Sequence, residues 1–218
     1  MRSRFDTQLD ELCDHLIQMG ALIERAIACA VTALVDGDTA MAKQAIAYEQ
    51  EIDDKESLIE RLCLKLLMQQ QPVAKDLRLI SAALKMITDM ERIGDQANDI
   101  SEITLMMKSP GAAHLPPIKD MAKATIKMVT DSIDAFVKSD LSLAKAVVEY
   151  DDVVDDYFLQ LREKLIEMIQ ADRGSGETVI DLLMAVKYLE RIGDHATNIA
   201  EWVIFSITGL HKGEELPQ

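Results

Sequence analysis

The chain has 218 residues, of which 49% are apolar and only 4% aromatic, and it carries a formal charge of −15. The length admits one domain or two small ones, and the apolar share is ample for a core. The charge speaks against a nucleic-acid duplex or an anionic membrane as partner, because no run of Lys and Arg sets a basic patch aside; cations or a basic protein surface fit better.

Leu, Ile, Ala and Met dominate the apolar set, a mixture that favours helix packed on helix. Along residues 3–35, Leu9, Leu12, Leu16, Met19, Ile23, Ile27, Val31 and Leu34 recur at spacings of three and four. That predicts one helix of about 50 Å. Asp36, Gly37 and Asp38 stop it, and Asp38 is a good N-cap for a second helix over 39–70. Gln71-Pro72 ends that one, because the residue before proline avoids helical backbone. A third helix is predicted over 73–108. Three prolines and a glycine within 109–117 then mark a boundary. Helices follow over 118–138, 141–171 and 177–208, separated by Ser139-Asp140 and by a turn at 172–176, with a tail from 209.

The two halves are one pattern used twice. At an offset of 102, Gly37-Asp38 meets Ser139-Asp140, Met19 meets Met121 and Asp53 meets Asp155. At an offset of 99, the segment from Glu91 to Glu102 meets the segment from Glu190 to Glu201, with eight of twelve residues identical. The expected fold is all-α: two tandem three-helix bundles, 1–108 and 117–218, in a spectrin-repeat-like six-helix array.

At about 100° per residue, Glu91, Asp95, Asp99 and Glu102 fall within one narrow stripe of the third helix, opposite Ile93, Ala97 and Ile100. Glu190, Asp194 and Glu201 repeat the stripe on the sixth helix, with Asn198 in the place of Asp99. An acidic stripe is ordinarily the solvated side of a helix. Three features argue for more. Like charges four apart destabilise a helix by a few tenths of a kcal/mol per pair, and here they are stacked twice. Gly94 and Gly193 stand mid-helix at a cost of about 1 kcal/mol each, which implies either close helix contact or room beside the acids. The second helix carries its own stripe, Glu49, Asp53, Glu56 and Glu60, and the fifth offers Asp151 and Asp155. Carboxylates presented side by side by neighbouring helices make an oxygen-rich cation site near the surface, suited to Mg²⁺, Ca²⁺, Mn²⁺ or iron, with Zn²⁺ as a further possibility.

No enzyme chemistry is expected. Di-iron carboxylate oxidases need Glu-x-x-His, and the third residue after Glu91 and Glu190 is glycine. His195 lies well off the stripe, while His15, His114 and His211 show no ligand spacing. No nucleophile elbow or phosphate-cradling loop is present. Cys13, Cys29 and Cys63 lack a C-x-x-C pair and read as reduced thiols. The N-terminus has no apolar signal region, and the most apolar run, 17–35, is broken by Glu24 and Arg25. The chain reads as soluble and cytoplasmic.

Two Glu-x-x-x-Asp runs, each on the third helix of a three-helix half, resemble the PhoU family of phosphate-uptake regulators, as does the Gln-Pro-x-Ala-x-Asp-Leu-Arg segment at 71–78. The resemblance covers nearly the whole chain. It implies the tandem bundle fold, and metal binding by Glu91, Asp95, Glu190 and Asp194 with help from Asp53 and Asp155. In some members the metal is a multinuclear iron cluster at the surface. It further implies negative control of the phosphate-starvation response, exerted between the ATPase component of a phosphate ABC transporter and a sensor histidine kinase, by a homodimer or higher oligomer.

Overall fold

In the computed structural model the three-and-four spacing becomes six long helices: α1 Arg2–Asp36, α2 Thr39–Gln69, α3 Ala74–Met106, α4 Pro117–Lys138, α5 Leu141–Ala171 and α6 Gly176–Thr208. The structure describes residues 2–69, 73–107, 115 and 117–210. The stop at Gln71-Pro72, most of the proline-rich break, His114, His211 and the tail beyond 210 lie outside the described residues.

The helix junctions follow their residues. Gly37 takes a left-handed φ of 70°, and its N–H donates to the Ala33 carbonyl at 2.8 Å. Asp38 Oδ1 then accepts from the N–H groups of Ala40 and Met41, capping α2. At the matching junction Ser139 takes φ 51°. There the Ser139 N–H donates to Phe136 and the Asp140 N–H to Ala135, the paired closure of a Schellman motif. Asp140 Oδ1 caps α5 through the Leu143 N–H at 3.0 Å. Before α6, Asp172 caps one 3₁₀ turn, Arg173–Ser175.

Each half is a three-helix unit in which every helix touches the other two. The halves join along α1–α4 and, most extensively, along α3–α6. Helices α2, α3, α6 and α5 thus pack in that order, while α1 and α4 brace α3 and α6. One continuous apolar cluster runs through both halves. Leu12, Leu16, Met19, Ile23 and Ile27 of α1, Ile52 and Ile59 of α2, and Ile80, Met86 and Ile93 of α3 are fully buried in it. Each such side chain contributes about 1.5–3 kcal/mol relative to exposure. The register of the repeat holds in the core, since Ile93, Ala97 and Ile100 are buried and so are their counterparts Ile192, Ala196 and Ile199.

By length and mean hydropathy, Phe5–Asp36 is apolar enough to cross a membrane, which counting uninterrupted apolar residues did not anticipate. Most of its large apolar side chains are instead buried in the core, with Ile17 left exposed. The two charges that break the run are used at helix contacts. Glu24 accepts a hydrogen bond from the Thr130 hydroxyl of α4 at 2.6 Å, and Arg25 lies over the ring of Tyr48 on α2. The three cysteines are free, and burial pushes the Cys63 thiol up to about 12.

Candidate metal centres

The two mid-helix glycines are places of close approach. Gly94 is buried, and a Cβ there would lie 3.0 Å from Cδ1 and 3.2 Å from Cγ2 of Ile52 on α2. Gly193 is its twin: a Cβ would lie 3.2 Å from both Asp151 Oδ1 and Val154 Cγ1 of α5. Of the two roles open to them, the structure shows tight helix contact. That contact also brings the acids of neighbouring helices together.

On the first face, Glu49, Asp53, Glu91, Asp95 and Asp99 are half-buried and Glu102 is exposed. Burial between the helices is the main force raising the carboxyls of Glu49, Asp53, Glu56, Glu91 and Asp99, and mutual repulsion adds to it. Glu49 feels Asp53, Asp95 and Glu102; Asp53 feels Asp95; Glu91 feels Asp95, Glu56 and Asp53. The stripes of α2 and α3 are therefore one electrostatic unit. Arg92 answers part of this charge, donating to Asp95 at 3.1 Å and lying 3.5 Å from Glu91. Glu56 belongs to the unit as well, as its place on the α2 stripe indicated.

On the second face, Asp151 is pushed up to about 6, first by burial and then by Asp155, Asp194 and Glu190, with the Thr197 hydroxyl pulling it back. Asp155 is raised by burial and Glu190 and lowered by Lys187. Lys187 donates to the carboxylate of Glu190, and its ammonium lies over the ring of Phe158, 5.3 Å from the centroid. Glu201 is half-buried, two turns beyond Asp194. Lys187 and Phe158 escaped the sequence reading, although Lys187 stands one turn before Glu190 and Phe158 at the position matching Glu56.

A polar seam joins the faces. Asp89 of α3 accepts from His195 Nδ1 at 2.9 Å and from Asn198 Nδ2 at 3.2 Å, both on α6. The seam's second contact is between Asp99 of α3 and the Tyr188 hydroxyl of α6, a hydrogen bond that lowers the Asp99 carboxyl against the burial, Asp95 and Glu102 that raise it. Asp89 aligns with Tyr188 and Asp99 with Asn198, so the two contacts are one contact repeated by an approximate two-fold axis between antiparallel α3 and α6. Asn198 stands where Asp99 has its counterpart because it donates across the seam to Asp89. His195, expected off the acid stripe, faces the same carboxylate.

The donor set is entirely carboxylate, and hard cations are the ions that suit it. Among the described residues, no three His, Cys, Asp or Glu side chains converge closely enough to grip an ion as they stand; Arg92 and Lys187 lie on the acid oxygens instead.

The family model of the PhoU domain matches residues 16–104 and again residues 118–203. A phosphate-specific transport system accessory protein PhoU homolog of Pseudomonas aeruginosa is 36% identical over 209 residues, covering 94% of this chain and 86% of its own. The corresponding protein of Clostridium acetobutylicum is 36% identical over 212 residues, covering 95% and 96%. Among solved structures, the crystal structure of PhoU from Pseudomonas aeruginosa superposes with a TM-score of 0.87 at 34% identity, covering 94% of this chain and 100% of that one. That of the phosphate transport system regulatory protein PhoU from Streptococcus pneumoniae gives 0.86 at 28%, covering 96% and 100%.

Proposed function

Because this chain belongs to the PhoU family, an accessory and regulatory family of phosphate transport and not a known family of enzymes, we propose that it is a negative regulator of phosphate uptake and of the phosphate-starvation response. It acts as a non-catalytic adaptor between the ATPase component of a phosphate ABC transporter and a sensor histidine kinase. It works in the cytoplasm as a homodimer and reaches the membrane only through its partners. The observation that carries this reading is likeness over almost the full chain, both repeats included, to accessory proteins of phosphate-specific transport systems. Deleting the gene makes phosphate-responsive reporters constitutive in phosphate-replete medium; a reporter that still follows phosphate after deletion rejects the regulatory role.

The two acid faces hold metal ions as part of that role. Glu49, Asp53, Glu91, Asp95, Asp99 and Glu102 serve the first face; Asp151, Asp155, Glu190, Asp194 and Glu201 serve the second. Support comes from carboxyls raised by burial and mutual repulsion, strain that a bound cation relieves with release of protons. Iron, Mn²⁺, Mg²⁺ and Ca²⁺ match these oxygen donors better than Zn²⁺ does.

The same strain favours a second reading, a metal-buffering helical protein without a signalling role. Glu91→Ala with Asp95→Ala separates the two. Loss of bound metal with phosphate control intact supports buffering; loss of both supports regulation.

A further inference from the structure

We infer that Lys187 is a built-in counter-cation of the second acid face, and that this face takes up fewer metal ions, more weakly, than the first. The inference rests on the reading of both faces as metal sites.

Three observations carry it. The Lys187 ammonium lies on the carboxylate of Glu190, one half of the second Glu-x-x-x-Asp pair. It is propped there by the Phe158 ring, and it also faces Asp155, whose carboxyl it pulls down. The Glu190 side chain is 14% exposed and the Lys187 side chain 45%, so within the pair the ammonium is the more solvent-facing partner.

The first half is built differently at the matching positions. Thr88, exposed and uncharged, stands where α6 has Lys187, and Glu56 stands where α5 has Phe158. Glu56 turns toward the first face, where Glu91 feels it and it feels Asp53 and Asp95. This pair of exchanges alone moves the local charge by two units.

The arginines offset part of this difference. Arg92 lies on the first face with its side chain 56% exposed, and the carboxylates it meets are 23% and 29% exposed, against 14% for the Glu190 that Lys187 meets. Arg191, the counterpart of Arg92, acts away from the second face: it lies near Tyr188 of its own helix and pulls down Asp99 of the first face across the seam. Lys187 is therefore the cation that α6 commits to the second face.

The test uses the full chain stripped by chelation and titrated with manganese chloride, followed by calorimetry and by the Mn²⁺ paramagnetic resonance signal. Glu91→Gln with Asp95→Asn disables the first face and leaves the second to be read alone. Adding Lys187→Met, which keeps an apolar stem on Phe158 and removes the charge, is expected to tighten the remaining binding about tenfold, as loss of one nearby positive charge in a half-exposed site requires. Lys187→Gln should do the same, and Thr88→Lys in the otherwise unchanged chain should weaken first-face binding. Helix content and melting confirm that each variant folds. Unchanged Mn²⁺ affinity in both Lys187 variants overturns the inference, as do two equal faces in the unaltered chain. If the unaltered chain binds no Mn²⁺ at all, the metal reading itself falls and takes this one with it.

Discussion

The α2–α3 pair and the α5–α6 pair share one backbone plan and differ in how they answer their own charge. Glu56 and Glu60 extend the first acid face, while the matching positions of α5 hold Phe158 and Arg162. Asp99 has its counterpart in Asn198, and Thr88 in Lys187. The first half leaves its carboxylates to repel one another beside exposed Arg92 and, across the seam, Arg191; the second neutralises a partly buried glutamate with its own lysine. A repeat can thus keep most of its buried positions and still diverge in electrostatics, because the core fixes only one side of each helix.

The largest expected effect tests the packing that the halves share. Ile52→Ala empties the fully buried contact over Gly94 and should cost about 2–5 kcal/mol by denaturant unfolding. Val154→Ala, at the matching place over Gly193, should cost less because fewer atoms are removed. Equal losses would mean that the two glycine contacts do not work alike.

Next comes the seam. Asp89→Ala strips the acceptor from His195 and Asn198 in a half-buried contact and should cost about 1–3 kcal/mol. Asp99→Asn keeps an acceptor for Tyr188 and relieves repulsion by Asp95 and Glu102, so it should be neutral or slightly stabilising.

A smaller effect is the pH dependence of the metal-free chain. Asp151 titrates near 6 when folded, against about 4 unfolded. The folded state therefore holds the extra proton, and this group's contribution to stability is full below pH 4 and is lost as pH rises to about 6. After discounting for partial exposure the loss is on the order of 1 kcal/mol, a shift of about 2–4 °C in melting temperature. The raised carboxyls of the first face act in the same direction. Asp151→Asn should flatten the part of this dependence that belongs to the second face; an unaltered profile would show that the first face alone sets it.

The smallest effect lies at the junctions. Ser139→Gly releases a left-handed strain that Gly37 does not carry, and should gain a few tenths of a kcal/mol, read as a small rise in melting temperature.

Much of this was legible in the chain. The six helices, the Asp38 and Asp140 caps and the alignment of the repeat follow from residue spacing, because helices and caps are local. The acid stripes followed from the same period. What spacing did not reveal joins residues far apart in sequence. His195 and Asn198 meet Asp89 across more than a hundred residues, and Lys187 rests on Phe158 of another helix. No periodicity announces which two stripes will face each other, so the seam and the lysine were visible only after packing.

The approximate two-fold at α3–α6 has one more consequence. Two separate identical three-helix chains meeting in this way would carry the same residue pair at both ends of their interface. Joined in one polypeptide, the ends are free to part: Asp89 meets His195 and Asn198, while Asp99 meets Tyr188. Covalent fusion turns what would be a symmetric pairing of three-helix units into an asymmetric one within a single chain, in which one lobe is free to change without the other.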